Sequence, residues 1–402
     1  MMTLRRLFLA VSVTLAASTA MADPLTYKGK LGNIDIVVEI ASTSDDLIFG
    51  RYFYLKQGID IPLQSKARKG STIVMEEEEA CGSDKCGDGQ KPPVAAVWTL
   101  EAQKNGDLVG TWKGKRSFPL VLKEVGGRVD ANAKTPLDLF AFGEGLYYDD
   151  TPITPQTAPY DYLRLDVPME MSPAEGWSDA KFAYAVDPRT KFRRPRVVEI
   201  AGGSPDAANA VLKLMHWRDS VAAFSCASLQ YVGLNQFGPD WSTGSGSLGG
   251  MDETYSEVHA LTPRLMTWQE SGSTYCGGAH PNNYSNRYTM DVAAGEILSL
   301  SDMFADAADN RPGESLAAFV RDNRRKPVKD FEIEHEEECG MDDLIGEYLS
   351  AGIRRDGDAL HVVFGLENLP HVINACADDL LDLPAAEVRD LLTPRFAALL
   401  GL

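Results

Sequence analysis

Six histidines and six cysteines carry the most specific chemistry in this 402-residue chain. Most of the histidines have no reactive neighbour. His216 stands beside Trp217 in a helical pattern and reads as a packing residue, and His361 opens an apolar strand. His371 follows Pro370 in a surface loop, and His259 precedes Ala260-Leu261 with no ligand-like partner. His335 is surrounded by the acids of Glu332-Ile-Glu-His-Glu-Glu-Glu338, which favour its charged form. His280 differs. It sits in Cys276-Gly277-Gly278-Ala279-His280-Pro281-Asn282, where paired glycines let backbone approach another group closely. An imidazole there can donate a hydrogen bond or act as a base. Gly277, Gly278, His280 and Asn282 are therefore the candidate binding residues. A Cys276/His280 nucleophile pair is the catalytic alternative, and it requires Cys276 as a free thiolate.

The compartment decides that point. Arg5 and Arg6 precede an apolar run of about 11 residues, too short for a bilayer span of about 20. Ala20-Met21-Ala22 then supplies the small-x-small pattern of a leader cleavage site, so residues 1–22 read as a signal peptide. The expected product is periplasmic or secreted and has no membrane span. In an exported chain an even number of cysteines favours disulfides. Cys81 and Cys86 can close a small loop. Of the three pairings open to the rest, Cys226–Cys276 and Cys339–Cys376 cost the least loop-closure entropy. Oxidation of Cys276 would remove the nucleophile, so no catalytic residue is assigned.

Other chemistries lack their residues. There is no Cys-x-x-Cys pair and no His-Glu-x-x-His, so no metal site is expected. Met75-Glu-Glu-Glu-Glu79 lacks the spacing of a calcium loop and reads as a solvated strand edge. Trp241 to Gly250 contains neither Gly-x-Ser-x-Gly nor a phosphate-binding Gly-Lys-Ser/Thr, and no cofactor is expected. The charge is −19, becoming −21 once the two leader arginines leave. Such a chain repels a phosphate backbone, so nucleic acid is a poor partner; a basic protein is an electrostatically favourable one.

Elements that would position these residues fall into two halves. From 23 to 125 short strands follow one another, beginning with Ile34, Ile36, Val38 and Ile40 at period two, a strand buried on one face. Asn105-Gly106 marks a hairpin turn. Residues 126–190 read as a Pro-rich linker with two strands, Tyr162–Val167 and Lys181–Val186. Ser204-Pro205-Asp206 starts a helix, with a capping hydroxyl, a proline suited to the first turn and an acid at the positive dipole end. Helices are expected again at 314–325, 341–352 and 384–392, and strands at 286–292 and 359–366. The fold class is α+β. A β-rich N-terminal domain (antiparallel meander, sandwich or barrel) precedes an α+β domain, 191–402.

Three pieces of that second domain belong together: Cys276-Gly-Gly-Ala-His-Pro-Asn282, Tyr284-Ser-Asn-Arg-Tyr-Thr-Met-Asp291 and Ala294-Gly-Glu-Ile-Leu-Ser-Leu-Ser-Asp-Met-Phe304. They resemble the extracellular domain shared by RsiV-type lysozyme-sensing anti-sigma factors and PdaC-type peptidoglycan deacetylases. The resemblance covers 191–402 and implies an antiparallel sheet packed against helices. In the sensors this domain binds lysozyme, a basic enzyme; in the deacetylases it accompanies a separate catalytic domain. Nothing here resembles the metal-binding deacetylase domain or a sigma-binding region, so neither activity transfers. Two functions follow as expectations. One is a non-catalytic binding module of the bacterial cell envelope, recognising lysozyme or a peptidoglycan component. The other is an envelope hydrolase, with His280 as base and Asp291 or Asp302 as the acid. A structural envelope protein without a soluble ligand is the third reading.

Overall fold

The structure, a computed structural model, describes residues 22–42, 48–79, 93–128, 152–232, 254–274, 282–326 and 337–402. The expected leader (residues 1–21 of it), the Cys81/Cys86 pair and His335 lie outside the described residues.

Eight antiparallel strands form the first half: β1 (Ala22–Leu31), β2 (Ile34–Ser42), β3 (Ile48–Tyr54), β4 (Ile61–Lys69), β5 (Thr72–Glu78), β6 (Val94–Ala102), β7 (Leu108–Lys113) and β8 (Ser117–Gly127). Each pairs with the next, and β8 returns to pair with β1, closing an up-and-down barrel. Of the three β architectures left open by the sequence, the barrel is the one formed. The Asn105-Gly106 hairpin joins β6 to β7, with Gly106 at φ 89°. Alternate residues fill the interior, among them Tyr27, Ile36, Val38, Ile40, Tyr52, Leu63, Met75, Trp98, Leu100, Leu120 and Leu122. An eight-stranded barrel is just wide enough for side chains to fill.

The outer face of β2 departs from the one-sided burial expected of it. Val37 and Glu39 are as buried as Ile36 and Val38. The cover is helix α1 (Pro159–Leu165), whose Tyr160 packs on Val37 and Phe53. Tyr162 to Leu165, expected as strand, thus forms helix: Pro159 at its first turn suits a helix start.

Beneath this helix six side chains of opposite charge are packed with 0% exposure. Glu39 on β2 faces Arg51 on β3, Nε to Oε2 2.8 Å. Arg51 also reaches Asp60 at 2.9 Å, and Arg128 reaches Glu39 at 2.6 Å. Asp161 is held by Arg128 and Arg164, and Arg164 lies 3.3 Å from Asp60. The Tyr160 hydroxyl donates to Asp60 at 2.6 Å, and the Arg51 guanidinium lies 4.4 Å over the Tyr160 ring. Burial opposes ionisation of Asp161, but Arg128, Arg164 and Arg51 together hold its carboxyl well below the usual range. Three carboxylates meet three guanidinium groups, so no charge is left over in this wall.

Short strands β9 (Glu170–Met171) and β10 (Glu175–Gly176) flank β11 (Ala180–Val186), which pairs with β12 (Arg193–Ile200). The long helix α2 (Asp206–Val232) starts where Ser204-Pro205-Asp206 predicts, with the Asp206 N–H donating to Ser204 Oγ at 3.2 Å. Its first turns, through Ala208 and Leu212, pack on Phe182, Val197 and Trp268. Its later turns, through Trp217, Val221 and Phe224, pack on Ala158 and Leu165. One helix therefore touches both halves. The strands at 180–200, read as connection and domain start, share a core with the second half.

That second half contains the sheet β13 (Tyr255–Leu261), β14 (Leu265–Thr274), β15 (Asn282–Asp291) and β16 (Glu296–Leu298), in that order. There follow α3 (Leu300–Met303), the two-residue pair β17 (Ala307–Ala308) and β18 (Arg311–Pro312), α4 (Glu314–Asn323) and α5 (Met341–Tyr348). A last sheet, β19 (Leu349–Asp356), β20 (Ala359–Leu366) and β21 (Asp379–Pro384), precedes α6 (Pro394–Leu400). Residues 385–391, expected as α-helix, form a 3-10 helix. Leu316, Val320, Ile345, Val362, Phe364 and Phe396 lie between these helices and sheets, consistent with α+β. Cys339 is disulfide-bonded to Cys376 with Cα atoms 5.8 Å apart, the pairing favoured by loop closure. Cys226 is also disulfide-bonded. No helix among the described residues is long and apolar enough to cross a membrane.

Candidate binding site

Cys276, Gly277, Gly278 and His280 lie outside the described residues, so the structure places one candidate, Asn282. Asn282 begins β15, exposed, opposite Thr274 at the end of β14.

What fixes that end of the sheet is a polar seam between β14–β15 and the last sheet. The Asn283 N–H donates to His371 Nδ1 at 3.0 Å, so His371 does more than occupy a surface. The Ser285 hydroxyl donates to Glu367 at 2.7 Å, and the Gln269 amide donates to Ser285 at 2.9 Å and to Glu367 at 3.2 Å. Arg287 bridges Glu367 at 3.2 Å and Asp379 at 2.5 Å. Its stem passes so close to β19 that a Cβ at Gly352 would lie 2.5 Å from its Cδ. Burial pushes the Glu367 carboxyl up, against the pull of Arg287 and Ser285. Burial, then Arg287, pushes the His259 imidazole down. A cavity of about 360 Å³ opens beside the seam, with Arg287 and Glu367 at a polar side and Leu298, Leu300 and Met303 at an apolar side. That volume is near the lower end for small-molecule sites.

Acids considered for hydrolysis are already committed to structure. Asp291 Oδ1 accepts from the N–H groups of Ala293 and Ala294, and Oδ2 from Arg395 at 3.1 Å. Gly295 closes this turn at φ 63°, where a Cβ would sit 2.5 Å from the Ala207 carbonyl oxygen. Asp302 Oδ2 accepts from Ser299 N–H and Oγ, a reciprocal cap on α3. Leu298, Leu300, Met303 and Phe304 enter the core. The second half of the motif is thus a turn, a cap and a set of core side chains.

Two other histidines find defined partners. His216 Nδ1 lies 3.1 Å from Arg196 Nη2, and Nε2 lies 3.0 Å from the Phe192 carbonyl. Neutral imidazole protonated on Nε2 satisfies both contacts. Burial, then Arg196 and Arg194, lowers its pKa to about 3. His361 Nδ1 lies 2.8 Å from Asp382. Among the described residues no three His, Cys, Asp or Glu side chains are grouped to hold a metal ion.

The seam residues Gln269, Ser285, Arg287, Glu367 and Asp379 were not singled out in the sequence. One signal was present: Ser285, Arg287, Thr289 and Asp291 recur at period two, and these polar positions are the buried ones.

Fold and site together define a disulfide-containing β-barrel protein joined to an α+β unit whose sheets are locked by an ionic seam. Among solved structures the chain is similar to a DUF3298-family member from Bacteroides fragilis NCTC 9343. Identity is 12%, coverage is 59% of this chain and 97% of that one, and the TM-score is 0.31. No family model matches the chain, and no curated protein matches it.

Proposed function

We propose that this protein is an exported, non-catalytic binding module of the bacterial cell envelope, whose ligand is a basic protein such as lysozyme, with a peptidoglycan component as the second candidate. The motif resemblance supplies the class of ligand. The observation that carries the non-catalytic reading is the commitment of Asp291 and Asp302 to backbone N–H groups, a capping serine and Arg395. The residues proposed to recognise the ligand are Gly277, Gly278, His280 and Asn282; next to Asn282, the Asn283 N–H donates to His371. The Cys339–Cys376 disulfide fits an oxidising compartment. An acidic surface accelerates encounter with a basic enzyme and makes the complex salt-sensitive.

The test is titration of the leader-free protein with lysozyme at low and high salt, and with soluble peptidoglycan fragments. Binding that weakens with salt and is reduced in His280→Ala and Asn282→Ala supports the reading. Absence of binding to both ligands overturns it, as does peptidoglycan turnover abolished by His280→Ala.

A further inference from the structure

Among the described residues, the barrel interior contains an acid that the wall network does not explain. Glu77, in the run expected to be a solvated edge, is 5% exposed and points into the barrel from β5, opposite Leu63 and Ala96. Its Oε2 accepts the indole N–H of Trp98 at 2.8 Å and of Trp112 at 2.7 Å. Tyr52, tilted against Trp98 with ring centroids 5.0 Å apart, is near enough that burial and then the charge of Glu77 push its hydroxyl well above its ordinary range. Tyr54 lies 5.5 Å from Tyr52, and Phe118 lies 5.7 Å from Trp112. Two indoles thus contact the carboxylate directly, and Tyr52, Tyr54 and Phe118 pack against those rings or on one another. No cation pairs with it among the described residues.

Position matters as much as composition. Tyr54, Glu77, Trp112 and Phe118 sit at the barrel end where β1 turns into β2. Tyr54, Trp112 and Phe118 are half-buried there. Ile34 and Val94 continue the inward-facing rows of β2 and β6 at this end and are 52% and 49% exposed. Below the acid, Tyr52, Trp98, Leu100, Met75 and Val38 are fully buried and plug the barrel. From this end inward the described residues run from exposed Ile34 and Val94, through half-buried Tyr54, Trp112 and Phe118, to buried Glu77 above a packed core.

An indole N–H requires only an acceptor, which a neutral amide supplies. A buried carboxylate adds a charge that is unfavourable without a counter-ion. Aromatic faces carry negative potential and attract cations, most strongly when the site is desolvated. We infer that the barrel mouth binds a small organic ammonium ion, its charge on Glu77 and the aromatic faces and its alkyl groups against Ile34 and Val94. This site is separate from the surface at Asn282.

Choline and its uncharged carbon isostere, 3,3-dimethylbutan-1-ol, test this by calorimetric titration and by tryptophan fluorescence of the leader-free chain. The expected result is saturable choline binding with a change in indole emission, and an isostere weaker by about tenfold or more. Glu77→Gln retains an acceptor for both indoles and removes the charge; it should lose about tenfold or more in choline affinity while its far-UV spectrum stays unchanged. Trp112→Leu, a second variant at the rim, should weaken choline similarly and is the arm to rely on where Glu77→Gln fails to fold. Equal affinity for choline and the isostere would mean an apolar site and overturns the inference. So does no choline binding up to about 10 mM, a concentration well above the weakest specific affinities, or unchanged affinity in a folded Glu77→Gln protein.

Discussion

Two acids a few strands apart in one barrel are treated in opposite ways. Glu39 faces outward from β2 into a wall where Arg51 and Arg128 grip both its oxygens under α1. Glu77 faces inward from β5 into aromatic rings and receives only neutral donors. Both are almost fully buried. The first belongs to a balanced set of three acids and three arginines, the arrangement expected of a structural joint. The second has no cationic partner among the described residues and lies near exposed Ile34 and Val94. Burial alone therefore does not separate scaffold from site; charge balance does.

Breaking the wall should produce the largest effect. Arg51→Met leaves three carboxylates facing two guanidinium groups in a water-free joint, and should cost about 3–5 kcal/mol of unfolding free energy in urea titration. A variant within about 1 kcal/mol of wild type would mean that water reaches these carboxylates, and the contrast with Glu77 would collapse.

His216 sharpens the comparison by showing a third solution, a buried titratable group kept neutral. Its folded pKa, about 3, lies below the ordinary 6.5. The unfolded chain therefore binds the extra proton first as pH falls. Stability from this group is fully present above pH 6.5 and is lost progressively toward pH 3, by up to about 4 kcal/mol. Urea midpoints measured across that window should decline, and His216→Gln should flatten the decline. An unchanged slope in the variant would show that His216 is hydrated.

A geometric control follows. Gly295→Ala introduces a Cβ against the Ala207 carbonyl at a positive φ and should cost about 1–3 kcal/mol without pH or salt dependence. Electrostatic variants of the wall should differ from it by responding to acid.

The smallest effect is expected at the mouth. Glu77→Gln keeps both indole acceptors and removes a charge with no partner, so unfolding free energy should change by less than about 1 kcal/mol. Loss of several kcal/mol would make Glu77 a structural residue like Glu39 and erase the distinction between the two regions.

Several of these features were readable in the chain. Ser204-Pro205-Asp206 announces α2 because its hydroxyl, ring and carboxylate each suit a helix start. Alternation from Ile34 to Ile40 announces β2, and the spacing of Cys339 and Cys376 announces their bond. Tyr162–Val167 was misread as strand, since Pro159 at a helix start carries the chain as helix through Leu165. The Glu76–Glu78 run was misread for a different reason. A charge run looks solvated in sequence, yet period two sends Glu77 inward while Glu78 meets Gln64 at 2.6 Å. At the candidate site, Asn282 is the one motif candidate among the described residues, whereas Arg287, Glu367 and Asp379 come from three separate strands or their ends and share no local pattern.

Composition, leader pattern and periodicity were enough to specify an acidic chain with a β-rich start and a mixed second half, because these depend on residues close in sequence. Closure of β8 onto β1, the roof that α1 places over Glu39, and the aromatic setting of Glu77 depend on residues far apart in sequence: Leu25 pairs with Gly127, Glu39 meets Arg128 89 positions on, and Glu77 meets indoles 21 and 35 positions away. Strand periodicity states which side chains share a face. Only the assembled barrel decides what covers that face, and hence whether a carboxylate there meets an arginine, water or a ring of aromatic side chains.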